Sequence, residues 1–517
     1  MTAPTSTLDP AADASRARLR AVHDLAMAGR IDEAGAAAEQ LLGDGVEHPM
    51  VLSLAAGVRE RRGDDRAALA LLERARTLAP AAPGVLNPLG LCLNRLGRHA
   101  EAIAVFDAAL AADPGFVPAL ANRGNARIAA GQLGRASADF DALLVREPGN
   151  ILALSGLATL ALRHGDAATA ERLAQQVLAR EPAYQPAELL LAEAELAGGA
   201  TAAAEQRLLA LTDEPRLGEH DRGIGYGLLG DARDRRGAFA EAWDAWRQSA
   251  SCFAAAHPEH AETPPQPAID AIASRLAQLR TSPRPFRPAP APAARHIFLV
   301  GFPETGTAPL AQMLARQSAM TLLPESDRLA EDASRWLATP ERLIDLYAAD
   351  DAALEAIRAR YWRRIATGVD PRGRIVVDTH AFHDFKLPLI ARAFPDALIL
   401  LVDRDPRDTV LSCFRRRFAL NPITFQFLSA EGTATLYAAT RRLRAETERV
   451  FAPAILQTKL ETLVTAPEPE LRRVSTAIGI APMPLSDPVA QAAEIGRWQD
   501  YAAELAPALA LLDAPRG

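Results

Sequence analysis

Two short stretches of the 517-residue sequence carry residue types that can hold an anion, and the first contains a pair of glycines. Residues 301–307 read GFPETGT, and a run with helical spacing through Leu310 and Leu314 follows. Glycines let the backbone approach a ligand closely, and unpaired N–H groups at a helix start, helped by the helix dipole, face a negative charge. This pattern is typical of a phosphate loop, to which Thr305 and Thr307 would add hydroxyl donors. The alternative is an ordinary strand-to-helix turn.

The second stretch reads DRDPRD over residues 403–408 and is followed by a helix-like segment that carries Ser412. Each stretch comes directly after a continuous apolar run, at residues 297–300 and 397–402. Such runs are typical of strands in a parallel sheet that is covered on both faces. Strands and helices alternate over this half of the chain, which predicts a right-handed α/β sheet. Both stretches would then lie at the carboxyl ends of strands, where open sheets bind ligands.

A nucleoside-triphosphatase loop would carry Lys-Ser or Lys-Thr after its second glycine. Here Gly306 is followed by Thr307 and Ala308. The missing lysine argues against an ATPase or a kinase, although the order of strand, glycine loop and helix is kept.

Together the two stretches resemble the nucleotide site of sulfotransferases that use PAPS (3′-phosphoadenylyl sulfate). In that family an arginine and a serine eight residues later hold the 3′-phosphate, and Arg404 and Ser412 have this spacing. The glycine loop resembles the family's 5′-phosphosulfate loop, usually Pro-Arg/Lys-Ser-Gly-Thr-Thr. The resemblance extends over residues 296–502 and is close to the bacterial type that joins tetratricopeptide repeats to a sulfotransferase domain. It implies a three-layer α/β domain with a parallel sheet, the P-loop NTPase-like sulfotransferase fold.

The resemblance also implies roles for individual residues. Gly496-Arg497-Trp498 is similar to a Gly-Arg-Trp segment of the family whose surroundings close over the cofactor. Glu325 stands where related enzymes carry a glutamate, so it would be the base for the acceptor hydroxyl; otherwise it is a solvated loop carboxylate or a helix cap. PAPS is the implied co-substrate, and no spacing of His, Cys and Asp predicts a metal. The implied cofactor-binding residues are Thr305, Gly306, Thr307, Arg404, Ser412 and Arg497.

Several positions depart from the family's pattern, and these departures remove positive charge. Glu304 replaces the arginine or lysine of the first loop, Thr379 replaces the lysine of an Asp-Lys-Met-Pro segment, and Asp403 replaces the first arginine of Arg-Arg-Asp-Pro-Arg-Asp. A carboxylate at Glu304 would repel the phosphosulfate and cannot donate a hydrogen bond while ionised. Residues that could supply the lost charge are His380, His383, Lys386, Arg407, Arg415, Arg416 and Arg417.

Two functions therefore remain open at the level of the sequence. The first is a sulfotransferase that moves a sulfuryl group from PAPS to a hydroxyl of a protein, peptide or glycan, with repeats that recruit the acceptor or a partner. The second is a catalytically degenerate protein of the same fold that acts as a protein-interaction scaffold.

The first half of the chain carries a repeat with a period of 34 residues, which is typical of tetratricopeptide repeats. We expect each periodic glycine to end the first helix of a repeat in a left-handed conformation, and each periodic proline to close the second helix. The pattern predicts an all-α solenoid of about six repeats, followed by a longer helical pair near residues 219–257. The glycines are Gly29, Gly63, Gly97, Gly131, Gly165 and Gly199, and the prolines are Pro80, Pro114, Pro148 and Pro182.

A solenoid of this kind has a concave surface, which predicts binding of a protein or peptide; a spacer or an oligomerisation platform is the alternative. We divide the sequence into a disordered N-terminus at residues 1–15 and the solenoid at 16–257. A proline-rich linker with a short helix follows at 258–295, and the sulfotransferase-like domain spans 296–517.

Charge and cysteine content limit the partners and the compartment. A formal charge of −7 and a pI near 5.9 give no global attraction to nucleic acid or to an anionic membrane. The three cysteines are too far apart for a disulfide framework or a zinc motif. No signal peptide and no apolar run long enough to span a bilayer is evident. We therefore expect a cytoplasmic protein with no integral membrane segment and no nucleic-acid partner.

Overall fold

The computed structural model describes residues 10–261, 264–281, 286–293, 295–324, 326–483 and 495–513. The chain divides into two compact units, residues 1–236 and residues 237–517. The first helix begins at Pro10, inside the segment that we expected to be disordered.

The first unit is all-helical, and each of its helices packs against the next one along the chain. The first helices of successive repeats also contact one another. This local, repeating contact pattern confirms the predicted solenoid. In chain order, helices α1–α13 are Pro10–Met27, Ile31–Gly43, Pro49–Arg61, Asp65–Leu78, Pro83–Arg95, His99–Ala112, Val117–Ala129, Leu133–Arg146, Ile151–Arg163, Ala167–Leu178, Gln185–Ala197, Thr201–Thr212 and Glu219–Arg235.

The glycines of the 34-residue period have the backbone conformation that their spacing predicts. All six have a positive φ, from +72° at Gly97 and Gly131 to +87° at Gly199. A side chain with a Cβ is strained in this conformation, whereas glycine is not. Each glycine therefore ends a first helix and lets the chain turn into the second helix of the same repeat.

Small residues allow the two helices of one repeat to approach each other closely. A Cβ at Gly90 would lie 2.5 Å from the Phe106 ring, and a Cβ at Gly124 would lie 2.6 Å from the Phe140 ring. Both phenylalanines are almost completely buried. The absence of a side chain at each glycine is thus what makes room for a core aromatic ring.

The second unit contains a five-stranded sheet in which every strand pair is parallel. The strand order is β2-β3-β1-β4-β5, so β1 is central and lies between β3 and β4. Val300 of β1 pairs with Leu401 of β4, so these two strands end at the same edge of the sheet. The parallel sheet confirms the predicted α/β fold. Strands β1–β5 are Arg295–Val300, Met320–Leu322, Ile375–Asp378, Leu398–Asp403 and Ala454–Lys459.

Helices cover both faces of this sheet and form a three-layer arrangement. Phe298 and Val300 belong to the hydrophobic core on one face, whereas Ile297 and Leu299 belong to the core on the other. Burial on both faces explains why β1 is apolar at consecutive positions. Helices α14–α25 are Phe239–Ala256, Gln266–Ala277, Thr307–Ala315, Ala330–Trp336, Pro340–Ala348, Asp351–Ala366, Leu387–Ala393, Pro406–Arg415, Ala430–Phe451, Leu460–Thr465, Pro467–Ile478 and Ala502–Asp513. Among these described helices, none is long and apolar enough to cross a membrane.

Helix α14 packs within the second unit through aromatic contacts. The Trp243 ring lies 4.6 Å from that of Phe414, and the Trp246 ring lies 5.4 Å from that of Tyr501, measured between ring centroids. Aromatic pairs at such distances contribute beyond the area they bury. The helix that we placed at the end of the solenoid thus packs against α21, which begins within the second candidate stretch at residues 403–408.

Gly124→Ala should destabilise the solenoid by about 1–3 kcal/mol, because the new methyl group would overlap the Phe140 ring. The measurement is thermal unfolding followed by circular dichroism. Gly134→Ala is the matched control, since Gly134 lies in α8 with no heavy atom within 4 Å of the added Cβ. That change should be neutral or stabilising by up to about 1 kcal/mol. Equal effects of the two substitutions would contradict the packing explanation.

Candidate functional site

The glycine loop joins β1 to α16 in the arrangement that the sequence predicts. A Cβ at Gly301 would lie 2.7 Å from the Val402 carbonyl oxygen, so only glycine fits where the loop passes β4. Gly306 has a φ of +101° and immediately precedes α16, which begins at Thr307. Thr305 is completely buried, and its hydroxyl donates a hydrogen bond to the Phe302 carbonyl oxygen at 2.7 Å. The Thr305 hydroxyl thus stabilises the turn itself.

Glu304 connects this loop to the second candidate stretch and to the helix that begins in it. Its carboxylate Oε2 accepts hydrogen bonds from the Ser412 hydroxyl at 3.1 Å and from Nη1 of Arg416 at 3.2 Å. Its carbonyl oxygen accepts a hydrogen bond from Nη1 of Arg404 at 3.1 Å. Glu304 also has a φ of +67°, which is uncommon for a residue other than glycine. These contacts hold a strained backbone position in place.

Arg404 and Ser412 both donate hydrogen bonds to Glu304, and both are almost completely buried. Arg404 is 6% exposed and follows β4, whereas Ser412 is 9% exposed and lies on α21. Next to Ser412, burial raises the pKa of Cys413 well above its usual range, and its Sγ lies 3.4 Å from the Pro303 carbonyl oxygen. The first loop, residues 301–306, is therefore joined by several contacts to the second loop, residues 404–405, and to α21.

The C-terminal segment is held against α21 by Asp408. Its two carboxylate oxygens accept hydrogen bonds from the backbone N–H groups of Gly496 at 2.7 Å and Trp498 at 3.0 Å. The guanidinium of Arg407 lies 3.9 Å from the centroid of the Trp498 ring, at cation–π distance. Arg497 is half-buried; its Nε lies 3.5 Å from Asp500. The segment with the Gly-Arg-Trp sequence thus lies beside the second loop.

An open cleft of about 570 Å³ lies at the carboxyl ends of β4 and β5, beside the second loop. The backbone N–H of Asp405 donates a hydrogen bond to Oε1 of Glu461 at 2.7 Å, which ties the loop to the residues after β5. Positively and negatively charged residues both line the cleft, so the cleft is suited to a ligand that has both hydrogen-bond donors and acceptors. Its cationic and aromatic lining residues are Arg404, Arg407, Tyr437, Arg441, Lys459 and Trp498.

Asp403, the charge reversal relative to the family's pattern, has two partners in the structure. It accepts hydrogen bonds from Nη1 of Arg444 at 2.7 Å and from Nε2 of Gln457 at 2.6 Å. Arg444 also forms a two-point contact with Asp384, which is completely buried. Sequence reasoning missed Arg444 and Asp384, because the pairing joins residues that are 60 positions apart. The signal that could have indicated this pairing is the arginine itself, because Arg444 lies among the buried positions of α22.

A buried polar network lies at the end of β3, on the other side of β1. Asp378 accepts a hydrogen bond from the Tyr361 hydroxyl at 2.8 Å, and Nε2 of His383 lies 3.0 Å from its other oxygen. Burial would raise the pKa of Asp378, but His383 and Arg328 outweigh burial and lower it. Nε2 of His296 lies 2.8 Å from the Tyr361 hydroxyl. These contacts of the Asp378 carboxylate stabilise the end of β3.

Two of the residues that could supply positive charge, His380 and Lys386, follow β3. Lys386 forms an ion pair with Asp327, and burial lowers the pKa of Lys386. Burial and the nearby Lys386 lower the pKa of His380 to about 4, so its imidazole is neutral at pH 7. Glu325, which the resemblance implies as the base, lies outside the described residues.

One group of potential metal ligands occurs in the solenoid. Glu60, Asp65 and Cys92 have ligand atoms within 4.8 Å of one another. The Arg95 guanidinium forms ion pairs with both Glu60 and Asp65, so a cation already lies between these carboxylates. Burial, together with Glu60, raises the pKa of Cys92 to about 11, which disfavours the thiolate that binds metals. We therefore interpret Glu60, Asp65 and Arg95 as an ion-pair cluster beside Cys92.

Comparison with known proteins gives two family matches. Residues 296–484 match the Sulfotransferase family, and residues 60–115 match the Tetratricopeptide repeat. The first match includes the glycine loop, the second loop and Ser412, and it ends before Arg497. A search of curated proteins gives no match.

Solved structures that are similar to this chain include tetratricopeptide repeat proteins. One from Parabacteroides merdae is 18% identical, with a TM-score of 0.37, and the similarity covers 48% of this chain and 93% of that one. PilW, a type IV pilus biogenesis factor, is 23% identical, with a TM-score of 0.34 and coverage of 40% and 96%. A thermophilic repeat protein of Thermus thermophilus is 23% identical, with a TM-score of 0.31 and coverage of 35% and 99%.

Arg444→Met should destabilise the second unit by about 3–5 kcal/mol, because it leaves the buried Asp384 carboxylate without its cation. All five tryptophans lie after residue 237, so tryptophan fluorescence during urea unfolding reports on this unit. Arg472→Met is the matched control, since its partner Glu468 is 69% exposed. An exposed pair of this kind contributes about 0–1 kcal/mol. Similar losses in both variants would contradict the role assigned to Arg444.

The stability of the second unit should decrease as the pH falls from about 6.5 to 4, because of His380. The folded-state pKa is the lower one, so in this window the unfolded chain binds more protons and acid favours unfolding. The slope from one such histidine is at most about 1.4 kcal/mol per pH unit. His380→Gln should therefore flatten the pH dependence of urea unfolding. An equally steep dependence in the variant would assign the effect to other groups.

Proposed function

We propose that this chain, in which tetratricopeptide repeats are joined to a sulfotransferase-family domain, moves a sulfuryl group from a nucleotide phosphosulfate to a hydroxyl. PAPS is the donor that the family implies, and the acceptor is a protein, peptide or glycan. The observation that carries the proposal is the adjacency of the two loops. The loop that resembles the 5′-phosphosulfate site follows β1, and the loop that resembles the 3′-phosphate site follows β4, its hydrogen-bonded neighbour.

In the proposed site, each phosphate of the donor has its own loop. The backbone at Thr305, Gly306 and Thr307 would bind the 5′-phosphosulfate at the start of α16, where N–H groups and the helix dipole favour an anion. Arg404 and Ser412 would bind the 3′-phosphate, and Arg497 would approach the cofactor from the C-terminal segment.

The transfer step requires a base and stabilisation of the leaving phosphate. The acceptor oxygen forms a bond to sulfur, and the bond between sulfur and the 5′-phosphate oxygen breaks with its electron pair on the phosphate. The acceptor proton passes to a base, for which Glu325 is the proposed residue. The products are a sulfated acceptor and PAP, the desulfated nucleotide.

The repeats support a second part of the proposal, namely recruitment of a protein or peptide through the solenoid surface in the cytoplasm. A scaffold without turnover is the second candidate function. It is favoured by Glu304, whose carboxylate replaces a cation of the family's pattern and contacts Ser412 directly. Both candidate functions use the repeats, so only an experiment on the nucleotide site can distinguish the transferase from the scaffold.

Titration calorimetry of the full chain with PAP should give binding in the micromolar range, on the order of −8 kcal/mol. Arg404→Ala should abolish this binding, and Ser412→Ala should weaken it with a smaller effect on folding. Arg472→Ala, on an exposed helix face, is the matched control for a lost arginine. Thermal unfolding of each variant checks that the domain is folded. Binding that survives both loop substitutions would place the nucleotide elsewhere, and no binding of either PAP or adenosine 5′-phosphate to the wild type would favour the scaffold.

A further inference from the structure

The two residues that would hold the 3′-phosphate, Arg404 and Ser412, both already donate hydrogen bonds to Glu304. The Glu304 carboxylate accepts hydrogen bonds from the Ser412 hydroxyl and from the Arg416 guanidinium, at 3.1 and 3.2 Å. The Arg404 guanidinium donates to the carbonyl oxygen of the same residue at 3.1 Å. A carboxylate with hydrogen bonds from a hydroxyl and a guanidinium has the partners that a phosphate oxygen would have.

Burial makes this internal contact hard to replace. Arg404 and Ser412 are 6% and 9% exposed, and the Glu304 side chain is 17% exposed. A carboxylate in a partly buried position interacts more strongly with nearby charges than it would in water. Arg416 is 63% exposed, so it can balance the carboxylate but adds little excess positive charge in the interior.

The 3′-substituent of a bound nucleotide would therefore lie next to the Glu304 carboxylate. A 3′-phosphate carries about 1.5 to 2 negative charges at neutral pH, and at this short range the carboxylate would repel it. A free 3′-hydroxyl carries no charge and can donate a hydrogen bond to a carboxylate oxygen. We expected the Glu304 carboxylate to repel the 5′-phosphosulfate. Because it accepts hydrogen bonds from Ser412 and Arg416, its charge instead lies beside the group that distinguishes PAPS from its 3′-dephosphorylated form.

We infer that Glu304 is a specificity-determining residue that makes this site select a nucleotide with a 5′-phosphate and a free 3′-hydroxyl. The preferred donor is then adenosine 5′-phosphosulfate. This inference rests on the proposed nucleotide site and narrows its donor. The transfer step is unchanged, because the same bond between sulfur and the 5′-phosphate oxygen breaks, and the nucleotide product becomes adenosine 5′-phosphate.

The test is titration calorimetry of the full chain with two probes, adenosine 5′-phosphate and PAP, which differ only in the 3′-phosphate. The wild type should bind adenosine 5′-phosphate about tenfold or more tightly than PAP, the factor expected when one like charge faces the extra phosphate. Glu304→Gln keeps the size of the side chain and removes its charge. It should strengthen PAP binding by about tenfold and change adenosine 5′-phosphate binding by less than about threefold. Glu468→Gln, at a side chain that is 69% exposed, is the matched control and should leave both affinities unchanged.

The outcomes separate this inference from the function on which it rests. If the wild type prefers PAP, or if Glu304→Gln leaves the ratio of the two affinities unchanged, the inference is overturned while the nucleotide site stands. If neither nucleotide binds to the wild type or to Glu304→Gln, the nucleotide site and the inference both fail. Binding of adenosine 5′-phosphate alone by the wild type, with PAP binding gained in Glu304→Gln, supports the inference and excludes PAPS as the donor.

Discussion

The hydrogen-bonded pairing of β1 with β4 is the constraint on which the second unit depends. Because the two strands are parallel and in register from Ile297 to Val300, the loops that follow them leave the sheet at the same edge. Both faces of β1 are covered by hydrophobic cores, so β1 cannot shift within the sheet without exposing apolar side chains. The positions of the two loops are fixed with the strands that they follow. Residues that are about a hundred positions apart in the sequence, such as Glu304 and Arg404, are thereby held within hydrogen-bond distance.

Buried acidic groups around this edge are each matched by specific donors. Asp384 and Asp403 share Arg444, Asp408 accepts from two backbone N–H groups, and Asp378 accepts from the Tyr361 hydroxyl. A buried carboxylate without such partners would be protonated or would destabilise the fold. The charge reversals relative to the family's pattern therefore occur where the structure provides compensation, and they have structural roles that a motif comparison does not reveal.

The fold was largely predictable from the sequence, because its signals are local. The spacing of Gly97 and Gly131 predicts the left-handed helix ends, and the unbroken apolar run at residues 297–300 predicts a central strand. The site was predictable only in part. Arg404 and Ser412 both contact Glu304, but the direction of the Glu304 side chain depends on a contact 108 positions away, and no local pattern encodes it. Arg444 was missed for the same reason.

In the proposed nucleotide site, the contact between Glu304 and Ser412 would also change how a ligand binds. In a site with separate loops, the ligand itself must bring the loops together, and the ordering of those loops weakens binding. Here the Glu304 carboxylate joins them through contacts within the chain, with Arg416 as its ion-pair partner. The same carboxylate uses donors that an anion would otherwise occupy. Glu304 therefore holds the two loops together but lowers the affinity of the site for an anion. A ligand without a negative charge beside Glu304 benefits from the joined loops and is not repelled by the carboxylate.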